Sequence, residues 1–308
     1  MIFPFADLRL GLAIALLSGS VARAEVKRVA IPERPPAELK PYASLASRAS
    51  IEPSGMVKSR LWPDLFWTLN DSGDEPRIFP VHKDGSIYRG EDHEALDGIR
   101  IPDAVNVDWE DLATDDEGHL IIGDIGNRDS NNRRDFCLYF VQEPHPGTAR
   151  ISVLKKVFFR YPDQTAWPSP VRNFDSEAIF FAHGKVYLLT KHRSDQHTKL
   201  YRFDSLKPFE MNVLTLLDEF DVRGQVTAAD ATPDGRQLAV LTYDAIWLFE
   251  VRPDSDAYFD GSIRWLPFRN IGDCESICFD GPNLIISSEE EKGDLYEVPI
   301  GQLEWLRR

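Results

Sequence analysis

The sequence predicts an all-β protein, a five-bladed β-propeller with four strands in each blade. Three observations support this fold: a short acidic motif recurs along the chain, a glycine turn and an apolar strand follow each copy, and each unit continues with two more β-rich runs. Helical periodicity is almost absent outside the first 24 residues and a short stretch near the C-terminus. Four strands per repeated unit are typical of a propeller blade.

The repeated motif is Asp-x-Glu, followed two residues later by an aliphatic side chain. It occurs in three segments, Asn106–Leu112, Asn173–Ile179 and Ile271–Ile277. The apolar strands that follow them lie at 118–127, 184–192 and 281–290. A fourth copy at 227–244 has Ala229 where the Glu would fall, and a first copy at 51–73 retains Glu52. The chain therefore contains five units.

The last unit is short by one strand, because only 33 residues follow Glu275 in this chain of 308. A ring that ended there would leave an open strand edge, which is an aggregation template. Residues 25–31, EVKRVAI, form an isolated strand-like run ahead of a proline-rich connector. We expect this N-terminal strand to complete the last blade as its outer edge.

The predicted organisation has three parts: a signal peptide at 1–24, a closing strand and proline-rich connector at 25–50, and the propeller at 51–308. Two alternatives stay open. A sixth, degenerate blade fits within the long stretch 127–172, and a pair of β-sandwiches would also be all-β, although sandwiches do not repeat one motif so often.

The first 24 residues are typical of a secretory signal peptide. Arg9 precedes an apolar stretch from Leu10 to Leu17, and Ala22 and Ala24 form an A-x-A cleavage site. The apolar stretch is much shorter than the roughly 20 residues that a membrane span needs, and no later segment approaches that length. We therefore expect an exported protein, periplasmic or secreted, with no transmembrane segment.

Composition restricts the partners. The chain has 35 Lys and Arg against 50 Asp and Glu, a formal net charge of −15, so it repels polyanions and we expect no nucleic-acid partner. A small-molecule anion or an envelope protein is the expected partner, and the protein is expected to be a monomer. Cys137, Cys274 and Cys278 match no zinc spacing, and we interpret them as buried, unpaired side chains.

The propeller geometry brings the repeated acids to one mouth of the central channel, because the first strand starts where the second strand ends. This places Glu52, Glu110, Glu177 and Glu275 together. The second-strand ends add Asn70, Asp71, Asp124, Asn127, Lys191, His192 and Tyr243. Converging carboxylates repel one another unless a cation neutralises them.

A divalent cation is therefore the leading site hypothesis. Oxygen ligands from acids favour Ca²⁺, with Mg²⁺ or Mn²⁺ as alternatives. The predicted metal ligands are Glu52, Glu110, Glu177, Glu275 and Asp124. The competing interpretation is structural: the acids cap backbone N–H groups of neighbouring blades and tie the ring together.

Three departures from the repeat are better functional candidates than the repeat itself. The segment 68–74 adds Asn70 and Asp71, and the long polar loop 123–134 adds Asn127 and Arg133. Lys191, His192 and Arg193 place basic groups opposite the acids, where they would hold an anion beside a metal. An ion pair with the Glu of a neighbouring blade is the alternative for Lys191. Together with Tyr243, these form the predicted substrate-binding set: Asn70, Asp71, Asn127, Arg133, His192 and Tyr243.

The combination LFWTLNDSG, NVDWEDLA, GDIGN followed by Arg133, and NFDSEAI resembles a group of exported bacterial β-propeller proteins whose function is not established. The resemblance covers about residues 50 to 290. The layout is more distantly similar to phytase-like and gluconolactonase-like propellers, which implies a Ca²⁺-type ion in the mouth and hydrolysis of phosphoesters or lactones. Those families commonly have six blades, whereas five are counted here.

Two functions follow from this interpretation. As a metal-dependent hydrolase, the protein would use Glu110, Asp124 and Lys191 as catalytic residues, with a carboxylate activating water and Lys191 or Arg133 binding the anion. As a non-catalytic binding propeller, it would capture a ligand or a protein at the same mouth without turnover.

Overall fold

The computed structural model describes residues 25–46, 49, 51–88, 98–127, 131–289 and 293–308. Five small antiparallel sheets, arranged as a ring, make up the described chain and confirm the five-bladed β-propeller. The stretch 127–172 supplies strands to the second blade and forms no sixth blade in its described part. The signal-peptide prediction for residues 1–24 lies outside the described residues.

Each blade has four strands, which are arranged side by side from the central channel outward. The inner strands are Pro53–Lys58, Trp109–Thr114, Asp175–Ala182, Val226–Ala231 and Cys274–Asp280. The second strands are Leu65–Asn70, His119–Asp124, Lys185–Lys191, Gln237–Thr242 and Asn283–Ser288. The third strands are Arg77–His82, Cys137–Gln142, His197–Arg202, Ala245–Glu250 and Asp294–Pro299. The outer strands are Ile99–Arg100, Val153–Arg160, Thr215–Asp221, Ser262–Arg269 and Ala43–Ser44.

Three short strands extend the outer edges. Met211–Val213 pairs in parallel with the outer strand of the second blade. Ala37–Glu38 pairs in parallel, and Glu304–Arg307 antiparallel, with the outer strand of the fourth blade. Two 3₁₀ turns, Tyr258–Asp260 and Ile300–Gln302, complete the regular structure of the described residues. No helix in this described part is long and apolar enough to cross a membrane.

The N-terminal segment closes the last blade, but through other residues than expected. The outer strand of the fifth blade is Ala43–Ser44, which pairs antiparallel with Asp294–Pro299. The assignment of the closing strand to 25–31 is wrong: Lys27 instead forms an isolated parallel bridge with Phe220 of the third blade. The Lys27 ammonium also lies 2.6 Å from the Asp260 carboxylate, so charge fixes this segment against the third and fourth blades.

Apolar packing between blades closes the ring. The described core divides into five clusters, and each cluster joins the facing sides of two neighbouring blades, including the fifth and the first. Alternation along each strand sends side chains to both faces of a sheet, so every sheet is covered on both sides. The three cysteines are free and buried, as predicted.

A β-bulge near the start of each inner strand shifts the pairing with the second strand by one residue. The extra residue is Glu110, Glu177 and Glu275 in three blades. Thr227 is the extra residue in the fourth blade, and Ser54 occupies the same place after the paired Pro53 in the first. The repeated Glu is thus the bulge residue, and a bulge is a common means of re-aiming a side chain.

This register corrects two alignments made from the sequence. Thr227, not Ala229, stands in the place of the Glu in the fourth blade. Glu52 precedes the bulge by two residues and corresponds to Asp108, not to Glu110. The first blade therefore contributes Ser54 at the bulge, and its hydroxyl donates a 2.6 Å hydrogen bond to the backbone carbonyl of Glu110.

Two acids outside the repeated motif tie neighbouring inner strands together. Asp111 Oδ2 accepts a 2.9 Å hydrogen bond from the backbone N–H of Ile179, which joins the second blade to the third. Asp230 Oδ2 accepts one of the same length from Phe279 and joins the fourth blade to the fifth. Asp111 and Asp230 thus fill the tying role that the sequence offered for the repeated acids. One repeated acid shares it, because Asp175 Oδ1 accepts a 2.6 Å hydrogen bond from the backbone N–H of Asn127 in the second blade.

Asp111→Ala removes one of these ties and leaves the Ile179 N–H without its acceptor. Because an unsatisfied buried donor costs roughly 1–3 kcal/mol, urea unfolding should show a loss of that size in the free energy of unfolding. Asp116→Ala, an exposed acid nearby, is the matched control. Neutral surface substitutions change the free energy of unfolding by up to about 0.5 kcal/mol. If Asp111→Ala differs from the control by no more than that, the hydrogen bond from Ile179 to Asp111 does not stabilise the fold.

Candidate functional site

Acidic side chains crowd one mouth of the channel, as the sequence predicts. Eight carboxylates interact there, and two basic side chains, Lys191 and Arg193, lie among them. The acids are Glu52, Asp71, Asp108, Glu110, Asp175, Glu177, Glu275 and Glu289. The bulges deliver Glu110, Glu177 and Glu275. Asp71 and Glu289 follow the ends of second strands, and Glu52, Asp108 and Asp175 lie at the starts of inner strands.

The third-blade side of the mouth is neutralised by the two bases. Lys191 pairs with Glu177, and Arg193 Nη2 lies 3.1 Å from the other oxygen of the same carboxylate. Arg193 Nε also lies 2.6 Å from Asp175. The Glu177 carboxylate therefore has two positively charged partners, and this part of the mouth has no need of a cation to balance its charge.

Lys191 also reaches across the channel to the fifth blade. Its ammonium donates to the Tyr243 hydroxyl at 2.7 Å and lies 3.4 Å from Glu275, and the Tyr243 hydroxyl donates to Glu275 at 2.8 Å. Burial alone would lower the pKa of Lys191, but the charges of Glu177 and Glu275 hold that pKa above its ordinary value. Lys191 is ion-paired, as its alternative interpretation expected, but with Glu177 of its own blade and Glu275 of the fifth blade and not with a Glu of an adjacent blade.

The side of the mouth between the first two blades is different. Carboxylate oxygens of Asp71, Asp108 and Glu110 lie within 4.8 Å of one another, and oxygens of Glu110, Asp175 and Glu177 meet the same limit. Glu110 is 3% exposed and belongs to both groups. Among the described residues, no basic side chain forms an ion pair with Asp71, Asp108 or Glu110, and the nearest donor to the Glu110 carboxylate is the Ser54 hydroxyl at 3.5 Å.

The electrostatics of this half reflect its unbalanced charge. Burial, together with the charges of Glu177, Asp71 and Asp108, raises the pKa of Glu110 well above its ordinary value. Burial and nearby acids also raise the pKa of Asp71 to about 6 and that of Asp108 to about 7. At neutral pH the carboxylates repel one another when they ionise. A bound cation would offset this repulsion.

Gly126, in the GDIGN segment, makes room for these carboxylates. A Cβ atom at this position would lie 2.2 Å from Oε1 of Glu110 and 2.3 Å from Oδ2 of Asp108. Two carboxylate oxygens therefore lie directly over the backbone of Gly126. Any larger residue would have to push them aside.

Asp124, a predicted metal ligand and catalytic residue, is already paired. Its carboxylate accepts from the Arg133 guanidinium and, at 3.1 Å, from the backbone N–H of Asp108. Arg133 in turn donates to the carbonyl of Gly126 at 3.0 Å and lies 3.1 Å from Asp135. The pair braces the loop under Gly126. Arg133 forms no ion pair with Asp108 or Glu110, although its charge opposes the rise in the pKa of Asp108.

The predicted substrate-binding amides also have local partners. Asn127 donates its backbone N–H to Asp175 at 2.6 Å and its side-chain amide to the Phe174 carbonyl at 3.1 Å, which joins the second blade to the third. Asn70 is buried and donates to Asp74 at 2.8 Å. Glu52 is exposed at the rim beside Asp71, and Glu289 lies near the same residues.

His192 does not lie in the mouth. It follows Lys191 in the chain and points to the other side, where its Nδ1 lies 2.7 Å from Asp195 Oδ1. The placement of His192 beside Lys191 as a mouth residue is therefore wrong, because neighbouring side chains at the end of a strand face opposite ways.

The structure brings into the mouth three residues that are not among the predicted metal ligands, catalytic residues or substrate-binding residues: Asp108, Asp175 and Arg193. The signal for the first two was available, because they are the Asp of the repeated Asp-x-Glu motif. Arg193 lies two residues beyond Lys191, and only the bend after the strand returns it to Asp175 and Glu177.

Comparisons with known proteins place the chain in a class, the β-propellers, but they identify no family for it. No protein-family model and no curated protein matches the chain. Among solved structures, Mala s 1, the major allergen of Malassezia sympodialis, is similar at a TM-score of 0.51 and 12% identity, over 81% of this chain and 92% of that one. The β-propeller domain of Cps50 (Swd1) from Myceliophteria thermophila aligns at a TM-score of 0.42 and 12% identity, over 88% of this chain and all of that one. At these identities the similarity extends to the fold alone.

The raised pKa values predict how stability depends on pH. Asp71, Asp108 and Glu289 have folded pKa values of about 6, about 7 and about 7, against ordinary values of 3.8, 3.8 and 4.5. Between those limits the folded state binds more protons than the unfolded state, so stability falls as pH rises from about 4 to 7. In EDTA, the melting temperature should be higher at pH 5 than at pH 7.5.

Asp108→Asn tests the source of this slope. The amide cannot ionise, so the difference between the two melting temperatures should shrink in the variant. Two results would contradict the assignment of this pH dependence to the mouth carboxylates. One is a melting temperature that rises from pH 5 to pH 7.5, and the other is a difference between the two temperatures that Asp108→Asn leaves unchanged.

Proposed function

We propose that this propeller binds a divalent cation, with Ca²⁺ as the best match, at the mouth between its first two blades. One observation carries the proposal: Asp71, Asp108 and Glu110 converge within 4.8 Å, and no basic side chain of the described residues pairs with them. Two oxygens bound to one Ca²⁺ at about 2.4 Å lie at most about 4.8 Å apart, so the spacing suits a shared ion.

The ligand set supports Ca²⁺ over softer metals. All three side chains offer carboxylate oxygens, Asp175 lies beside them, and neither sulfur nor imidazole is part of the group. Ca²⁺ accepts six to eight oxygens in a loose geometry, and backbone carbonyls or water supply the remainder in most sites. This set is narrower than the one expected from the sequence. Glu110 is kept as a ligand, and Asp71 and Asp108 are added. Glu177 and Glu275 are omitted because they pair with Lys191. Asp124 is omitted because it pairs with Arg133.

The bound ion would serve as a binding centre. Asp71 and Asp108 are only partly buried, so an ion held by them would face solvent on one side and attract an anionic oxygen of a small molecule. Export to a periplasmic or extracellular compartment, which the N-terminal sequence predicts, agrees with such a site, since extracellular Ca²⁺ modules work at weak affinities of about 10⁻⁴–10⁻³ M.

Hydrolysis of phosphoesters or lactones stays a prediction of the sequence resemblance. Lys191 and Arg133, the two groups expected to bind the substrate anion, are both engaged with carboxylates. We therefore favour the non-catalytic binding function.

Melting curves in EDTA and then in Ca²⁺, Mg²⁺ or Mn²⁺ test the proposal. A ligand that binds only the folded state at 100 times its dissociation constant adds about 2.7 kcal/mol of stability. For a chain of this size that corresponds to a rise of about 5 °C in melting temperature, largest with Ca²⁺. Glu110→Gln keeps the shape of the side chain and should abolish the rise.

Glu210→Gln is the matched control, because Glu210 is an exposed acid whose side chain is 64% accessible and which belongs to none of the acidic groups, among the described residues, that could hold an ion. It should keep the full Ca²⁺ response. The proposal fails if no ion raises the melting temperature, or if Glu110→Gln and Glu210→Gln respond alike.

A further inference from the structure

A second cavity lies on the flank of the third blade, apart from the mouth. It has a volume of about 370 Å³ and is enclosed by strands of that blade and the segment 161–174 that leads into it. None of the carboxylates of the proposed cation site lines it. His192, Asp195, Lys199, Glu219 and Asp163 provide its polar surface.

His192 presents an unused acceptor in this cavity. The residue is fully buried, its Nδ1 lies 2.7 Å from Asp195 Oδ1, and its Nε2 has no hydrogen-bond partner among the described residues. Because the carboxylate accepts from Nδ1, that nitrogen carries a proton, and in the neutral imidazole the lone pair is on Nε2. A buried nitrogen without a partner is unfavourable, and a ligand that donates a hydrogen bond to it removes that cost.

Asp195 is fixed in the ionised state that sets this tautomer. The Asn173 side-chain amide donates to it at 2.7 Å and the backbone N–H of His197 at 2.9 Å. Burial alone would raise the pKa of Asp195, but the hydrogen bonds from His192 and His197 lower that pKa below its ordinary value. The imidazole is thus oriented by its carboxylate, and Nε2 is the ring nitrogen of this lining residue that has no partner in the described part of the chain.

The charges around the cavity favour a cation. Three carboxylates line it, Asp163, Asp195 and Glu219, against one permanent positive charge, Lys199. Lys199 is committed to Asp163 at 2.6 Å. Asp195 contacts the His192 Nδ1 and Glu219 contacts the His197 Nδ1 at 3.1 Å, so the lining holds more carboxylates than permanent positive charges.

The cavity also has an apolar part. Five apolar residues line it: Ala166, Pro170, Val171, Phe174 and Leu216. A ligand that suits both parts has an apolar body and a positively charged hydrogen-bond donor.

We propose that this cavity binds a small molecule with an apolar body and a protonated primary amine, whose N–H donates to His192 Nε2 and whose charge is balanced by Asp195 and Glu219. The site is independent of the cation site in the mouth. It is a binding site, and no covalent step is assigned to it.

Benzylamine is the probe, with benzyl alcohol and benzoate as neutral and anionic analogues of the same size. The full chain, ¹⁵N-labelled at its seven histidines, is titrated with each probe while the imidazole nitrogens are followed by long-range ¹H–¹⁵N correlation. Benzylamine should shift the His192 nitrogens at saturable, millimolar concentrations, and should bind at least tenfold more tightly than benzyl alcohol or benzoate.

His192→Phe removes the acceptor and keeps a planar ring, so benzylamine affinity should fall at least tenfold. His119→Phe makes the same change at a second His–Asp pair, His119 with Asp115 at 2.7 Å, and should leave the affinity unchanged. Val171→Trp, on an exposed position of the lining segment, fills the cavity without touching the blade and should also abolish binding.

Circular dichroism separates loss of binding from loss of fold, and Val171→Trp carries the test if His192→Phe does not fold. The proposal is overturned if benzylamine leaves the His192 nitrogens unshifted, if benzoate or benzyl alcohol binds equally well, or if folded His192→Phe or Val171→Trp binds benzylamine as tightly as the original chain.

Discussion

Closure of the ring is the constraint on which the rest of this structure depends. Five sheets pack face to face around one axis, and each neighbouring pair shares an apolar cluster, so every blade is held by two apolar interfaces. The N-terminal residues Ala43–Ser44 supply the strand that the fifth blade lacks. This link joins the two ends of the chain and covers an edge that would otherwise be exposed.

The same closure forces like charges together. Each inner strand bulges near its start, and the bulge residue of three blades is a glutamate, so Glu110, Glu177 and Glu275 meet inside a narrow funnel. Lys191 and Arg193 neutralise two of them. The structure therefore divides the mouth into a paired side and an unpaired side, and the unpaired side is the feature that calls for a ligand.

The fold was readable from the sequence because a propeller repeats one unit. The Asp-x-Glu motif, the glycine turn and the apolar strand recur at each blade, so blade number and the location of the acids followed from periodicity. The closing strand was misassigned because Ala43–Ser44 is two residues long and carries no pattern, whereas 25–31 alternates like a strand but meets only Phe220.

The site was less readable, because it depends on single-residue register. The bulges determine which residue of each blade is equivalent to Glu110. In the fourth blade it is Thr227, and in the first blade it is not Glu52, and no motif in the sequence marks either position. The partners of Asp124 and His192 depend on loop paths and on which side of a strand end faces the channel. Periodicity therefore located the acidic mouth correctly, but only three-dimensional contacts separate the acids that are paired from those that are not.

The central claim is that the unpaired carboxylates around Glu110 hold a cation. Crystals grown with Ca²⁺ and measured at long wavelength would locate the ion directly by its anomalous scattering. The expected result is one peak in the mouth, with oxygens of Asp71, Asp108 and Glu110 at about 2.3–2.6 Å. An empty mouth at saturating Ca²⁺, or a peak that contacts none of these three carboxylates, would contradict it.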